Sequence, residues 1–357
     1  MVSECTRRQI LASSGATTAS VVGLSGCVGE SDPGSSNAEG TNTTAATSSM
    51  GQLTVAYVPI YPNMQHYIMQ EEGYYESLSS EVTVERFSNG PSVVKAFASD
   101  EVDVALFGVT PAMVLVDKGK EASVLAANSQ NGFRVMSTSA FADLYTNQQG
   151  DAFSAFENQH DRKVTFGVPP DGSVPDVALR YWIEQDLDLG GLESVIDKVK
   201  VSPAKAPQTI QAGEIDATMI QEPFATVIAS EQGFSEIAWS GDILSGHPVT
   251  VTFVQNSVPT DVAEQFVEQH TKATRFVREK PMKAAEDAAA IIGSGVSTDL
   301  ARQAIDSQAS DFLTDPNEVR EQAATMAQFV KDVGNTGSVI SPERLFDFSV
   351  YDAVSNQ

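Results

Sequence analysis

One short device occurs twice in this chain. Residues 99–111 read SDEVDVALFGVTP and residues 212–223 read AGEIDATMIQEP. Each has an acid, a Val or Ile, an Asp (Asp103, Asp216), a short apolar run and a turn that closes on Pro. The surroundings repeat in the same order. LTVAYVPIYP (53–62) and KVTFGVPPDG (163–172) are β-type runs halted by prolines. Each is followed by a helical segment. In the second half Val174, Val177, Ala178, Tyr181 and Trp182 share one helix face. Short strands VTVERF and KVKV come next, then helices in SVVKAFAS and APQTIQAG, then the echoing strands VDVALFG and IDATMIQ, with further helices expected to start at Pro111 and Pro223.

Each half therefore reads β-α-β-α-β-α. Alternating strands and helices predict a parallel sheet covered on both faces, and two matching sets predict duplicated lobes with a cleft between them. The expected fold class is α/β, with two βαβαβα lobes joined by two crossing segments. Residues 121–139 are expected to cross from the first lobe to the second, and 247–257 to cross back. The assignment is lobe I over 52–138 plus 250–357 with the C-terminal helices, and lobe II over 139–249. TDVAEQFVEQHTKATRFVREK and PNEVREQAATMAQFVKDVG carry helical spacing near the C-terminus. Ligands of open α/β sheets sit at the carboxyl ends of the strands, so the echoing strands are expected to deliver their ends to a shared cleft.

The first residues are read apart from the fold. TRRQIL (6–11) is a twin-arginine pair entering a mildly apolar stretch too interrupted to span a bilayer. The stretch ends in LSGC, which resembles a lipobox with Cys27 as the lipidated residue. Residues 1–26 then form a twin-arginine lipoprotein signal, and 27–51, rich in Ser, Thr and Gly, a flexible tether. The other cysteine, Cys5, falls in the removed part, so neither a disulfide framework nor a cysteine metal site is expected. With 47 acidic and 22 basic residues, the net charge of −25 argues against nucleic acid as a partner. The acids are spread over the whole chain, as in the carboxylate coat of a halophilic protein, where salt screens the repulsion.

QEEGYYES (70–77), DGSVPDVALRYW (171–182), AGEIDATMIQEPFA (212–225) and FVEQHTKATRFVREKPMKA (266–284) resemble substrate-binding proteins of ABC importers in the nitrate/taurine/sulfonate class. The fold class this resemblance implies is the two-lobed periplasmic-binding-protein fold of type II, which the class shares with the yeast-type thiamine pyrimidine synthase. The resemblance implies a receptor that closes two lobes on a small molecule and presents it to a permease and its ATPase. It also implies an extracytoplasmic monomer, held by lipidated Cys27 at the outer face of the membrane.

Candidate ligand residues follow from turn chemistry and this resemblance. In DGSVPD, Ser173 and Asp176 read as a capping box with Pro175 in the first turn. Gly172 lets the backbone approach closely, and Val174 opens the helix, whose positive end suits an anionic or polar group. The resemblance places this loop at the ligand. Asn89, Gly90 and Pro91 repeat the arrangement in the first lobe. Phe107 ends the third strand, and Thr110 is expected to cap the helix that follows. Glu222 before Pro223 is a poor cap residue, so it is either aimed at the cleft to accept from a ligand amine or is one more solvated carboxylate. Tyr57, Tyr61, Asn63, Gln65 and His66 offer aromatic walls and amides, or else Tyr57 is core and the rest a surface loop. His247 lies by the return crossing.

No metal-ligand spacing, phosphate-loop motif or nucleophile elbow occurs, so no metal, cofactor or catalytic residue is expected. A binding receptor is favoured over an enzyme on the same fold, because the synthase it resembles uses a Cys-rich motif that this chain lacks. An exported ligand sensor stays open beside both. The expected ligand is a small polar or anionic solute, sulfonate/taurine-like or aminopyrimidine-like.

Overall fold

The computed structural model describes residues 51–356 except Ser294. The signal, Cys27 and nearly all of the expected tether lie outside the described residues. Two sheets organise the rest. The first takes β1 (Gln52–Tyr57), β2 (Glu81–Arg86), β3 (Val104–Gly108), β4 (Ala122–Gln130), β10 (Pro248–Gln255) and β11 (Asp311–Phe312), in the order β11-β4-β10-β3-β1-β2. The second takes β5 (Arg134–Thr138), β6 (Val164–Val168), β7 (Ile196–Lys200), β8 (Ala217–Ile220) and β9 (Phe234–Trp239), in the order β7-β6-β8-β5-β9.

The repeat predicted from sequence is visible strand by strand. β1 pairs in parallel with β2 and β3, as β6 does with β7 and β8. In each sheet an antiparallel strand then flanks the third parallel strand: β10 beside β3, and β5 beside β8. These two strands correct the expected boundaries. Residues 134–138, assigned to the first lobe, hydrogen-bond within the second sheet, and Pro248 and Val249, assigned to the second lobe, belong to the first. The crossings are therefore much shorter than the apolar runs that contain them. The chain passes over at 131–133 and returns at 240–247, because the apolar residues on either side are consumed by strand pairing.

The echoing aspartates do the same work in both lobes, at the start of the third strand. The Asp103 carboxylate accepts from the Thr54 amide of β1 at 2.8 Å, and the Asp103 amide donates to the Thr54 carbonyl. Asp216 repeats both bonds with Thr165 of β6 and adds a two-pronged pair with Arg162. A side chain here extends the ladder by one bond and fixes the register of the first and third strands. It lies at the opposite end of the strand from the carboxyl terminus, so the repeated Asp is a structural clip.

Packing covers both faces of the first sheet. Leu53, Val55 and Tyr57 enter one apolar cluster and Ala56 the other, as strand alternation requires. The first cluster is closed by helices Met64–Glu71, Thr260–Glu279 and Pro281–Ile292. The second runs without a break from Phe107 to Phe133 and Val174, joining the two lobes. Replacing Asp103 with Ala removes an acceptor from a half-buried amide. An unfolding titration is expected to show a loss of about 1–2 kcal/mol, with ligand affinity unaltered because the residue is remote from the strands' carboxyl ends.

Candidate functional site

Three helices point their N-termini at one cavity between the lobes. Gly90–Ala98 follows β2, Val109–Asp117 follows β3, and Val174–Tyr181 follows β6. The cavity encloses about 50 Å³, small enough that only a compact solute fits without the lobes parting. Asn89, Gly90, Gly108 and Pro111 line it from the first lobe, and Ser173, Val174 and Gln221 from the second. Val58, Ile60, Phe133 and Val249 add apolar wall. Among the described residues no charged side chain lines it. With 47 acids in the chain, an acid-free lining leaves the positive helix ends uncancelled.

The N-cap chemistry leaves hydrogen-bonding capacity facing this space. Asn89 caps its helix in the usual way, its Oδ1 accepting from the Ser92 amide at 3.0 Å. Ser173 occupies the N-cap position, but its hydroxyl makes no capping bond and is buried without a partner. Asp176 reaches past it to accept from the Gly172 amide at 2.9 Å, and its other oxygen is held by Lys198. The expected capping box is thus shifted by one residue, which frees the Ser173 hydroxyl. Oε1 of Gln221, a residue only 2 % exposed, is likewise unpartnered.

The lobes touch directly around the cavity. Thr110 Oγ1 donates to the Gly172 carbonyl at 2.8 Å, and the Tyr61 amide donates to the Glu222 carbonyl at 2.9 Å. Gly108 faces Val174 so closely that a Cβ would stand 2.7 Å from its Cγ2. With φ at −65°, the backbone there admits any residue, so the neighbouring lobe is what requires glycine. Gly172 is glycine for its own conformation, at φ +78°.

Of the candidates from sequence, Asn89, Gly90, Ser173 and Val174 line the cavity. Thr110 and Gly172 join the lobes beside it. Thr110 is not the cap, since the helix begins at Val109 with Gly108 at the cap. Pro91 is exposed and Phe107 is wholly in the core. The aromatic and amide cluster is structural. Tyr57 stacks on His66, with ring centroids 3.9 Å apart. The Asn63 amide donates to the Val58 and Leu106 carbonyls, and Gln65 donates to Asn128 and Leu313. Tyr61 is fully buried, its phenol pushed up by burial and then by the Glu222 carboxylate.

Glu222 overturns the expectation of a carboxylate offered to a ligand amine. It is fully buried, paired with Arg134 at 2.9 Å, and accepts from the Thr226 amide at 2.9 Å. That bond caps the helix Phe224–Ala229, with Pro223 at its N-cap position and not inside it. Both oxygens are engaged within the second lobe. The residue that reaches the cavity is its neighbour Gln221, a signal that sequence reasoning missed because the poor cap residue drew attention one position too far. His247 is buried at the return crossing, parallel to Phe133, and burial lowers it to about 4. Among the described residues no group of three His, Cys, Asp or Glu side chains converges as a metal site.

Comparison with known proteins agrees with this architecture. The sequence profile of the NMT1-like family matches residues 46–293. A search of curated proteins returns no match. Among solved structures, the ligand-binding component of an ABC-type import system from Staphylococcus aureus is 16% identical with a TM-score of 0.68, covering 86% of this chain and 100% of that one. The nitrate-binding protein NrtA from Synechocystis PCC 6803 is 13% identical with a TM-score of 0.71, covering 85% and 88%. The alkanesulfonate-binding protein SsuA from Xanthomonas axonopodis pv. citri, bound to MOPS, is 14% identical with a TM-score of 0.67, covering 84% and 99%.

If the lobes close through the Gly108–Val174 contact, Gly108→Ala holds them apart. Calorimetric titration is expected to show ligand binding at least about tenfold weaker, a difference of about 1.4 kcal/mol. The midpoint of ligand-free unfolding stays in place, and adding Val174→Ala restores part of the affinity. Wild-type affinity in Gly108→Ala would contradict this reading of the contact.

Proposed function

The chain belongs to the NMT1-like family, and from that premise we propose that it is the substrate-binding component of an ABC importer. It captures a small anionic or strongly polar organic solute by closing its lobes and delivers it to a membrane permease, with ATP hydrolysed by a separate subunit. One observation carries the ligand class: three helix N-termini from two lobes meet in a cavity free of charged side chains. Backbone amides and helix dipoles bind an anion without a cationic side chain. The Ser173 hydroxyl and Gln221 amide supply direction, and the apolar walls fit a short carbon body.

With the Glu222 carboxylate engaged elsewhere, a cationic group on the ligand meets no carboxylate among the described lining residues, only neutral acceptors such as Gln221 Oε1. That favours a sulfonate-like solute, or a neutral polar ring, over a zwitterion held by its amine. The printed names of two structural neighbours, an alkanesulfonate-binding and a nitrate-binding protein, lie in the same chemical range. The role is binding without catalysis.

The location belongs to the same proposal. Residues 1–26 act as a twin-arginine export signal, Cys27 carries lipid, and the Ser/Thr-rich stretch to residue 51 tethers the receptor beside its transporter outside the cytoplasm. No helix among the described residues is long and apolar enough to cross a membrane. The acid-rich surface supports work in high salt, as a monomer.

Thermal unfolding in multimolar KCl, against alkanesulfonates, taurine, nitrate, aminopyrimidines and amino acids, tests this. A true ligand at 100 times its Kd adds about 2.7 kcal/mol and raises the midpoint, and Ser173→Ala or Gln221→Ala reduces the shift. A shift produced only by cationic solutes, or by none of the panel, would overturn the ligand class.

A further inference from the structure

A second hollow opens between the lobes, behind the loop that walls the ligand cavity. Val58 and Ile60 face the main cavity, whereas Pro59 between them lines a hollow of about 290 Å³ on the other side. Pro203 and Ala204 divide in the same way across the second lobe. The two spaces share a wall that is one loop thick, pinned where the Tyr61 amide meets the Glu222 carbonyl.

The chemistry of the hollow sets it apart from the rest of the surface. Among the described residues no acid lines it, in a chain with 47 acids against 22 basic residues. Among the described residues its one cation is Arg86, the last residue of β2, level with Tyr57 at the carboxyl end of the parallel strands. Among the described residues Arg86 makes no ion pair and no side-chain hydrogen bond. Arg134, Lys198 and Lys283 each hold two carboxylates, whereas Arg86, like Lys95, Lys118 and Arg275, holds none, and of these it is the one that lines the hollow. Gln208 lies across from Arg86 on the second lobe, and Phe224 and Ile292 give the hollow apolar walls contributed by both lobes.

An unpaired guanidinium in an acid-free hollow is a receptor for a carboxylate, sulfonate or phosphate, which it grips in two-pronged fashion. We propose that this hollow is a second subsite of the binding cleft, in which Arg86 selects solutes that carry a second anionic group on an arm reaching past the 58–60 loop. The subsite rests on the receptor function proposed above and narrows it to a dianionic organic solute. Because its walls come from both lobes, it exists only when they approach, so filling it favours closure along with the main cavity.

The test compares straight-chain alkane-α,ω-disulfonates with alkanesulfonates of the same length, titrated calorimetrically into the full mature chain at one fixed KCl concentration. The expected result is a disulfonate preference of about fivefold or more. The ratio falls to about one in Arg86→Gln, persists in Arg86→Lys, and reverses in Arg86→Glu, while the ligand-free unfolding midpoint is the same in all four proteins. Binding of both probes with no preference, or a preference that survives Arg86→Gln, overturns the subsite and leaves the receptor reading standing. Absence of binding by either probe to the wild type overturns the subsite and the sulfonate-like ligand class, while a midpoint shift from another member of the solute panel would keep the receptor reading.

Discussion

Each sheet is completed by a strand that the chain brings across the lobe boundary, and the rest of the structure depends on that exchange. β5 follows β4 after only three residues, yet pairs with β8 and β9 of the other sheet. β10 returns from the second lobe to lie between β3 and β4. Neither lobe has a complete sheet without a strand delivered through a crossing. The lobes are therefore tied twice, and the N-termini of three helices open on the cavity beside the first crossing, whose Phe133 helps to wall it, because parallel strands end there.

The charge distribution follows from the same geometry. Carboxylates that coat the surface keep the chain solvated, but a carboxylate inside the cleft would cancel the helix ends that attract a ligand. The acids near the cavity are consequently spoken for. Asp176 is held by the Gly172 amide and Lys198, and Glu222 by Arg134 and the Thr226 amide. Asp171 also meets Lys198, and its neighbouring lysines hold its carboxyl down at about 2. Charge neutralisation just behind the lining is what would let such a cleft accept the anion proposed for it from within a strongly acidic protein.

Much of the fold was legible because it repeats. Both β-α-β-α-β-α series stand where the proline-stopped runs and the echoing Asp motifs predicted them, since alternation and turn residues are local signals. The short crossings were not legible, because 122–130 and 134–138 are both apolar strands and nothing local says that they serve different sheets. In the site, the turns were readable and the directions of side chains were not. Asn89, Gly90, Ser173 and Val174 line the cavity as turn chemistry suggested. Tyr57, Asn63 and Gln65 went the other way, since an amide serves equally well to satisfy buried carbonyls. Glu222 was conspicuous for a good reason, its capping bond, which lies inside its own lobe. Gln221 and Gly108 became informative only once the opposite lobe was in place.

The central claim is that these lobes close on a small solute through contacts already defined, Thr110 to Gly172 and Gly108 to Val174. Small-angle X-ray scattering of the mature chain, alone and saturated with a solute that raises its unfolding midpoint, tests it most directly. The account predicts a smaller radius of gyration with the solute, as two lobes hinged at 131–133 and 240–247 come together. The same radius with and without a bound solute would show that recognition does not work by closure, and would contradict the account.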